Sequence, residues 1–401
     1  MKFVDTLFFY GLKMKIRLSI VLITIVSLAG MLYFLIKDND TREINSTITV
    51  ADAMTNQGSD GFARAIAPRT FKFPEDHGPH PEFRTEWWYY TGNLETDDGK
   101  RFGFQFTLFR NAISPDSVRR TSNWASNQIY MGHFALTDVA NKKFYAFERF
   151  SRGAAELAGA QSLPFRVWLE DWSVAAISAE ADDQFPDVRI QAKENGIAID
   201  LKLRNAKPAA LNGDNGLSRK GAEVGNASYY YSLTRIRAEG AIQIQNNSFS
   251  VTGNTWLDRE WSTSALGSDQ IGWDWFSLQL DDGREIMYYQ IRKTTGEPDS
   301  FSSGALIDKE SATYHFKQSD VSIQVLSSWR SPIGGTYPAR WQLSIPRERI
   351  VLELTPLIPD QELNLSIRFW EGAVKVAGVA DGKAISGNGY VELTGYADAK
   401  N

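Results

Sequence analysis

Three short stretches of the chain set carboxylates among aromatic rings: Arg84-Thr85-Glu86-Trp87-Trp88-Tyr89-Tyr90, Trp256-Leu257-Asp258-Arg259-Glu260-Trp261 and Gly272-Trp273-Asp274-Trp275-Phe276. Side chains alternate between the two faces of a strand. Glu86, Trp88 and Tyr90 would therefore share one face, Trp256, Asp258 and Glu260 another, and Trp273 and Trp275 would stand opposite Asp274. A carboxyl group walled by indoles resists ionisation, so its pKa rises and it can serve as a general acid near neutral pH. Aromatic walls also stabilise a carbocation, by about 0.5–2 kcal/mol per contact. Asp258, Glu260 and Glu86 are the candidate acids, and Trp87, Trp88, Tyr90, Trp256, Trp261, Trp273 and Trp275 the candidate pocket lining. His133, in the strand-like run Gly132 to Asp138, is a candidate proton relay if it points inward. The competing reading pairs Glu86, Asp258 and Glu260 with Arg84, Arg259 or Arg110. It makes the tryptophans plain core and His133 structural; salt-bridged carboxylates have lowered pKa values and do no acid catalysis.

Other chemistries leave no signature. The 401 residues carry a net charge of −5, which gives no electrostatic footprint for nucleic acid. There is no cysteine, which removes thiol catalysis, disulfides and thiolate metal sites. No serine has glycine at both −2 and +2, and no His-Glu-x-x-His, phosphate-loop or dinucleotide motif occurs. His77 and His80 flank Gly78-Pro79, a turn rather than a metal-ligand spacing. No metal and no cofactor is expected, and the sequence carries no signal for oligomeric state.

The elements that must position these residues are strands. Phe102, Phe104, Phe106 and Leu108 alternate with Gly103, Gln105 and Thr107, and the pattern recurs at Trp341–Ile345, Ile350–Leu354 and Leu363–Phe369. Asp98-Gly99, Asn195-Gly196, Asp282-Gly283 and Asp381-Gly382 supply hairpin turns between such runs. Tyr89 to Arg110 and Trp273 to Arg292 read alike around Asp-Asp-Gly turns whose glycines, Gly99 and Gly283, lie 184 residues apart. A repeat of that length is a duplicated domain. The expectation is an all-β body of two tandem antiparallel barrels, over residues 70–255 and 256–401. Ahead of it, Leu18–Ile36 runs 19 residues without a charge, preceded by Lys13, Lys15 and Arg17. That pattern predicts a cytoplasmic segment 1–17, a membrane anchor 18–36 and a tether 37–69, with the body in the periplasm; a cleaved signal peptide is the alternative.

The stretch Phe73 to Pro81 running into Phe83-Arg84-Thr85-Glu86-Trp87-Trp88-Tyr89 resembles a known family, the AttH-like and carotenoid 1,2-hydratase (CrtC-like) proteins. So do Gly132-His133-Phe134-Ala135, Tyr229-Tyr230-Tyr231-Ser232, Trp256 to Leu266, Gly272 to Phe276, Trp370-Glu371-Gly372 and Gly389 to Tyr396. The resemblance spans roughly residues 70–398 and implies two lipocalin-like domains. Carotenoid hydratases protonate an isolated double bond and add water to the cation, and other relatives are described as secreted hydrolases. The hydratase pattern, His-x-Trp followed by Tyr-x-Asp with the Asp as acid, corresponds here to Arg259-Glu260-Trp261 and Tyr288-Tyr289-Gln290. Tyr288 thereby joins the candidate lining, and the acid role would pass to Asp258, Glu260 or Glu86. The resemblance thus implies a hydratase or hydrolase acting on a hydrophobic, isoprenoid or lipid-like substrate. The alternatives are a binder of the same ligands without catalysis and a scaffold for polyene cyclisation.

Overall fold

The computed structural model describes residues 60–115, 122, 124–178, 184–263 and 266–397. The expected segments 1–17 and 18–36, and residues 37–59 of the tether, lie outside the described residues. Among those described, no helix is long and apolar enough to cross a membrane.

The body is all-β, with two barrel-like antiparallel sheets. The first has thirteen strands: β1 (Thr85–Glu95), β2 (Arg101–Ala112), β3 (Gln128–Asp138), β4 (Lys143–Arg152), β5 (Ala158–Gln161), β6 (Arg166–Leu169), β7 (Trp172–Ala176), β8 (Val188–Glu194), β9 (Ile197–Asn205), β10 (Ala210–Leu211), β11 (Leu217–Arg219), β12 (Ala227–Ile244) and β13 (Asn247–Ser262). The second has ten: β14 (Gln270–Leu280), β15 (Glu285–Lys293), β16 (Ser303–Ile307), β17 (Thr313–Lys317), β18 (Ser322–Arg330), β19 (Thr336–Ile345), β20 (Ile350–Pro356), β21 (Glu362–Asn364), β22 (Arg368–Ala380) and β23 (Lys383–Leu393).

Both sheets follow one plan. A four-strand meander, β4-β3-β2-β1 or β17-β16-β15-β14, is joined through its first strand to the last strand of its own sheet, β13 or β23. The two Asp-Asp-Gly turns occupy the equivalent first hairpin of each sheet, so the duplication read from sequence is a duplication of topology. The residue 255/256 boundary falls inside β13, which pairs wholly within the first sheet; the sheets divide between Ser262 and Gln270. Local chemistry sets the turns. Asn195-Gly196 and Asp381-Gly382 have positive φ at both positions, the two-residue hairpin geometry, whereas at Asp98-Gly99 and Asp282-Gly283 only the glycine does. The run 363–369 departs from a single strand: β21 and β22 pair back on each other, Leu363 facing Phe369, and both residues pack against Ala135 of the first sheet.

Alternation sorts the core. Phe102, Phe104, Phe106 and Leu108 fill the first barrel, and Trp341, Leu343, Ile345, Ile350, Leu352 and Leu354 the second. The outer faces of the two sheets then pack on each other through a third cluster that includes Tyr89, Tyr230, Trp256, Trp275 and Tyr289. Strands there are buried on both faces, which explains the unbroken Trp87-Trp88-Tyr89-Tyr90 run. Contact is close: a Cβ on Gly103 would lie 2.4 Å from that of Ala373. Asn93 Nδ2 donates to the Gly389 carbonyl at 3.0 Å, and Lys207 Nζ reaches Glu285 at 2.7 Å.

Glu86 faces into the first barrel, fully buried, where Arg110 and Arg259 both ion-pair with it and the His80 backbone N–H donates to it at 3.1 Å. Burial opposes its ionisation, but the Arg259 and Arg110 guanidiniums overcome that cost and hold its carboxyl far below the usual carboxylate range. Trp88 lies under the Arg259 guanidinium at 4.0 Å, Trp261 stacks on His80 at 3.8 Å, and Tyr90 lies in the same interior. The expected acid role of Glu86 is thus overturned, because a carboxylate locked to two guanidiniums has no proton to give. Glu86→Gln should cost about 3–5 kcal/mol of stability, since it leaves two buried guanidiniums without their anion. Urea unfolding measures this, and a loss below about 1 kcal/mol would contradict the assignment.

Candidate functional site

Residues one position out of phase with Glu86 face the other way. Trp87 and Tyr89 of β1, Phe109 of β2 and Tyr230 of β12 look outward from the first sheet; Trp273 and Trp275 of β14, Tyr289 of β15 and Phe369 of β22 meet them from the second. They enclose a cavity of about 150 Å³ between the barrels. Four carboxyl groups enter it, Asp258 and Glu260 from β13, Glu371 from β22 and Glu392 from β23, with Lys220 as the one cation among the described lining residues.

Asp258 is 3% exposed, and among the described residues no cation pairs with it. Its Oδ1 accepts from Ser232 Oγ at 2.5 Å and Trp256 Nε1 at 2.7 Å, and its Oδ2 is bonded to the Tyr230 hydroxyl. Burial pushes its pKa up to about 7; these three neutral donors pull the other way and do not cancel the cost. Tyr230 Oη also accepts from Trp275 Nε1 at 3.2 Å, which ties the acid to the second barrel. Across the cavity, burial lifts Glu392 to about 8, reinforced by the negative charges of Asp258 and Glu260 and opposed by Trp273. Glu371 rises well above its ordinary value through burial and the nearby Glu392, against the hydrogen bond that Tyr89 donates at 2.7 Å. Glu260 differs: Lys220 Nζ stands 3.3 Å from its Oε1, which also accepts from Ser228.

The structure brings together Asp258, Glu260, Trp87, Trp273 and Trp275, with Trp256 bound to Asp258. It separates Glu86, Trp88, Tyr90 and Trp261, which belong to the first barrel's interior, and Tyr288, which is fully buried in the second. Arg259 lies in the Glu86 network, and Gln290 shares the face of Tyr288, so neither departure from the hydratase pattern faces the cavity. His133 does not line it either. It sits behind Phe109 and Phe369, with ring centroids at 5.5 and 5.6 Å, and its Nε2 is 3.0 Å from Glu148. Tyr230, Ser232, Glu371, Glu392 and Lys220 were not picked out by charge or spacing. A signal was present for Glu392, a lone carboxylate inside the apolar run Tyr390-Val391-Glu392-Leu393.

A family model described as AttH-like matches residues 64–396. The chain belongs to the AttH-like family. This AttH-like protein is similar to a solved Nitrosomonas europaea structure described as a candidate AttH, with 36% identity and a TM-score of 0.73 over 84% of this chain and 100% of that one. It is also similar to kievitone hydratase from Fusarium solani subsp. phaseoli, 22% identical over 244 residues, 58% of this chain and 66% of the relative, just under two thirds of its length. The crystal structure of kievitone hydratase from Nectria haematococca shares the fold, with a TM-score of 0.64 at 15% identity over 84% of this chain and 97% of that one.

The upward shift at Asp258 fixes the sign of a stability effect. A carboxyl whose folded pKa lies near 7 instead of 3.8 contributes stability that is complete below the unfolded value and lost as pH rises through the folded one. Asp258→Asn removes that titration. Its stability relative to wild type should therefore improve by about 2–3 kcal/mol between about pH 5 and pH 8 in urea unfolding. A difference independent of pH would contradict the shift.

Proposed function

We propose that this AttH-like protein is a hydratase that adds water to a carbon–carbon double bond of a hydrophobic, isoprenoid-like substrate in the cavity between its barrels. The carrying observation is Asp258, a carboxyl buried among aromatic rings without a cation, so that it holds a proton near neutral pH. Asp258 gives that proton to one alkene carbon. The cation left on the neighbouring carbon faces Trp87, Trp273 and Trp275 and is attracted by their π faces. Water adds to it, the proton released by that water returns to a carboxylate, and the sum is alkene plus water giving alcohol. Tyr230 supports the donor. Its hydroxyl bonds to Asp258 Oδ2 and accepts from Trp275 Nε1, which holds the acid in place at the cavity.

One further consideration favours hydration: the similar kievitone hydratase is itself named for a hydration. The test is incubation with prenylated phenols and acyclic isoprenoid alkenes in oxygen-18 water. An alcohol carrying solvent oxygen is expected, with Asp258→Asn slowing turnover by about 10²–10⁴-fold. Binding, read by tryptophan fluorescence, should survive the substitution. Wild-type turnover in Asp258→Asn would overturn the reading, as would an isomeric product without solvent oxygen or binding without any product.

A further inference from the structure

The proposed hydration needs a base as well as an acid, and the cavity treats its four carboxyl groups unequally. Asp258 receives only neutral donors, and Glu371 the Tyr89 hydroxyl. Glu260 alone among them meets a cation. Resting on the hydratase reading, we propose that Lys220 is a positioning residue whose ion pair holds Glu260 at the cavity as the base that takes the proton from the attacking water, while Asp258 acts as the acid.

The geometry supports this division. Lys220 follows β11 directly and is pinned at both backbone groups: its N–H donates to the Asn226 carbonyl at 2.9 Å, and its carbonyl accepts from Gln270 Nε2 at 2.9 Å. Its ammonium lies 4.0 Å from the Tyr289 ring centroid and 5.1 Å from that of Tyr230, and 3.3 Å from Glu260 Oε1. These groups face it from β15, β12 and β13, and beyond them stand Asp258, Glu371 and Glu392. Burial opposes its charge, but Glu260 and then Tyr289 outweigh it and raise the pKa of Lys220. A charged Glu260 in turn pushes Asp258 and Glu392 upward, so one ion pair separates the base from the acids. Asp258 and Glu260 lie two residues apart on one strand face, about 6–7 Å along it. The cycle balances: Asp258 donates a proton to carbon, Glu260 takes one from water, and a proton passing from Glu260 to Asp258 restores both.

Lys220→Met keeps the apolar stem and removes the charge, while Lys220→Arg keeps the charge. Lys220→Met should cut kcat for hydration about tenfold or more at neutral pH with KM changed far less, and move the low-pH limb of the rate upward, while Lys220→Arg restores both. Independently of turnover, Glu260→Gln removes a charge that lifts Asp258, so the midpoint of the Asp258 carboxyl band in infrared titration should fall below about 7. An unmoved kcat and pH limb in Lys220→Met would overturn the proposal, and so would an unmoved Asp258 midpoint in Glu260→Gln. If that midpoint falls but no alkene is hydrated, the hydratase reading fails and the base role falls with it, while the ion pair of Lys220 and Glu260 stands.

Discussion

Removing a carboxylate from water is costly, and this protein meets that cost in two opposite ways on two paired strands, β1 and β13. Glu86 and Asp258 are both buried. Glu86 lies between two guanidiniums and stays ionised, whereas Asp258 has only a phenol, an indole N–H and a serine hydroxyl around it, and burial prevails. Depth is common to both; the charge of the neighbours decides. The first arrangement fastens the segment before β1 into its barrel. The second leaves a protonated acid in an aromatic cavity. The chemistry proposed for the cavity follows from that contrast.

The cavity exists because two similar sheets pack outer face to outer face. Each barrel fills its own interior, and β1, β12 and β13 of the first sheet and β14, β15, β22 and β23 of the second bury their other face as well. Aromatic residues serve that arrangement, since rings on consecutive positions supply both surfaces. Where the packing is closest, at Gly103 against Ala373, no space remains; where Trp87, Trp273 and Phe369 diverge, the cavity opens. Residues on one side of a strand therefore build a barrel, and their immediate neighbours build the site.

Much of this was legible in the chain. The turn residues at Asn195-Gly196 and Asp381-Gly382, the alternation from Phe102 to Leu108 and the 184-residue echo of the Asp-Asp-Gly turns led directly to two barrels of one topology. Alternation also grouped Trp256 with Asp258 and Glu260 correctly. It could not say which faces of β1 and β13 looked inward, so Glu86, Trp88 and Tyr90 of β1 and Trp261 of β13 entered the candidate site although they fill a core. Tyr288 entered by resemblance, one residue out of phase with Tyr289, which does line the cavity. Glu371, Glu392 and Lys220 reach the site from distant strands and a loop. Their convergence depends on tertiary packing, which no local pattern encodes.

The proposed hydration depends on buried carboxyls of the inter-barrel cavity that carry protons at neutral pH, Asp258 foremost. Infrared difference spectroscopy of the carboxyl C=O stretch tests it directly, comparing wild type with Asp258→Asn across the neutral range. A protonated-carboxyl band should disappear with a midpoint of about 7 and be missing from Asp258→Asn. A fully ionised Asp258 at that pH, with no such band lost in the variant, would contradict it.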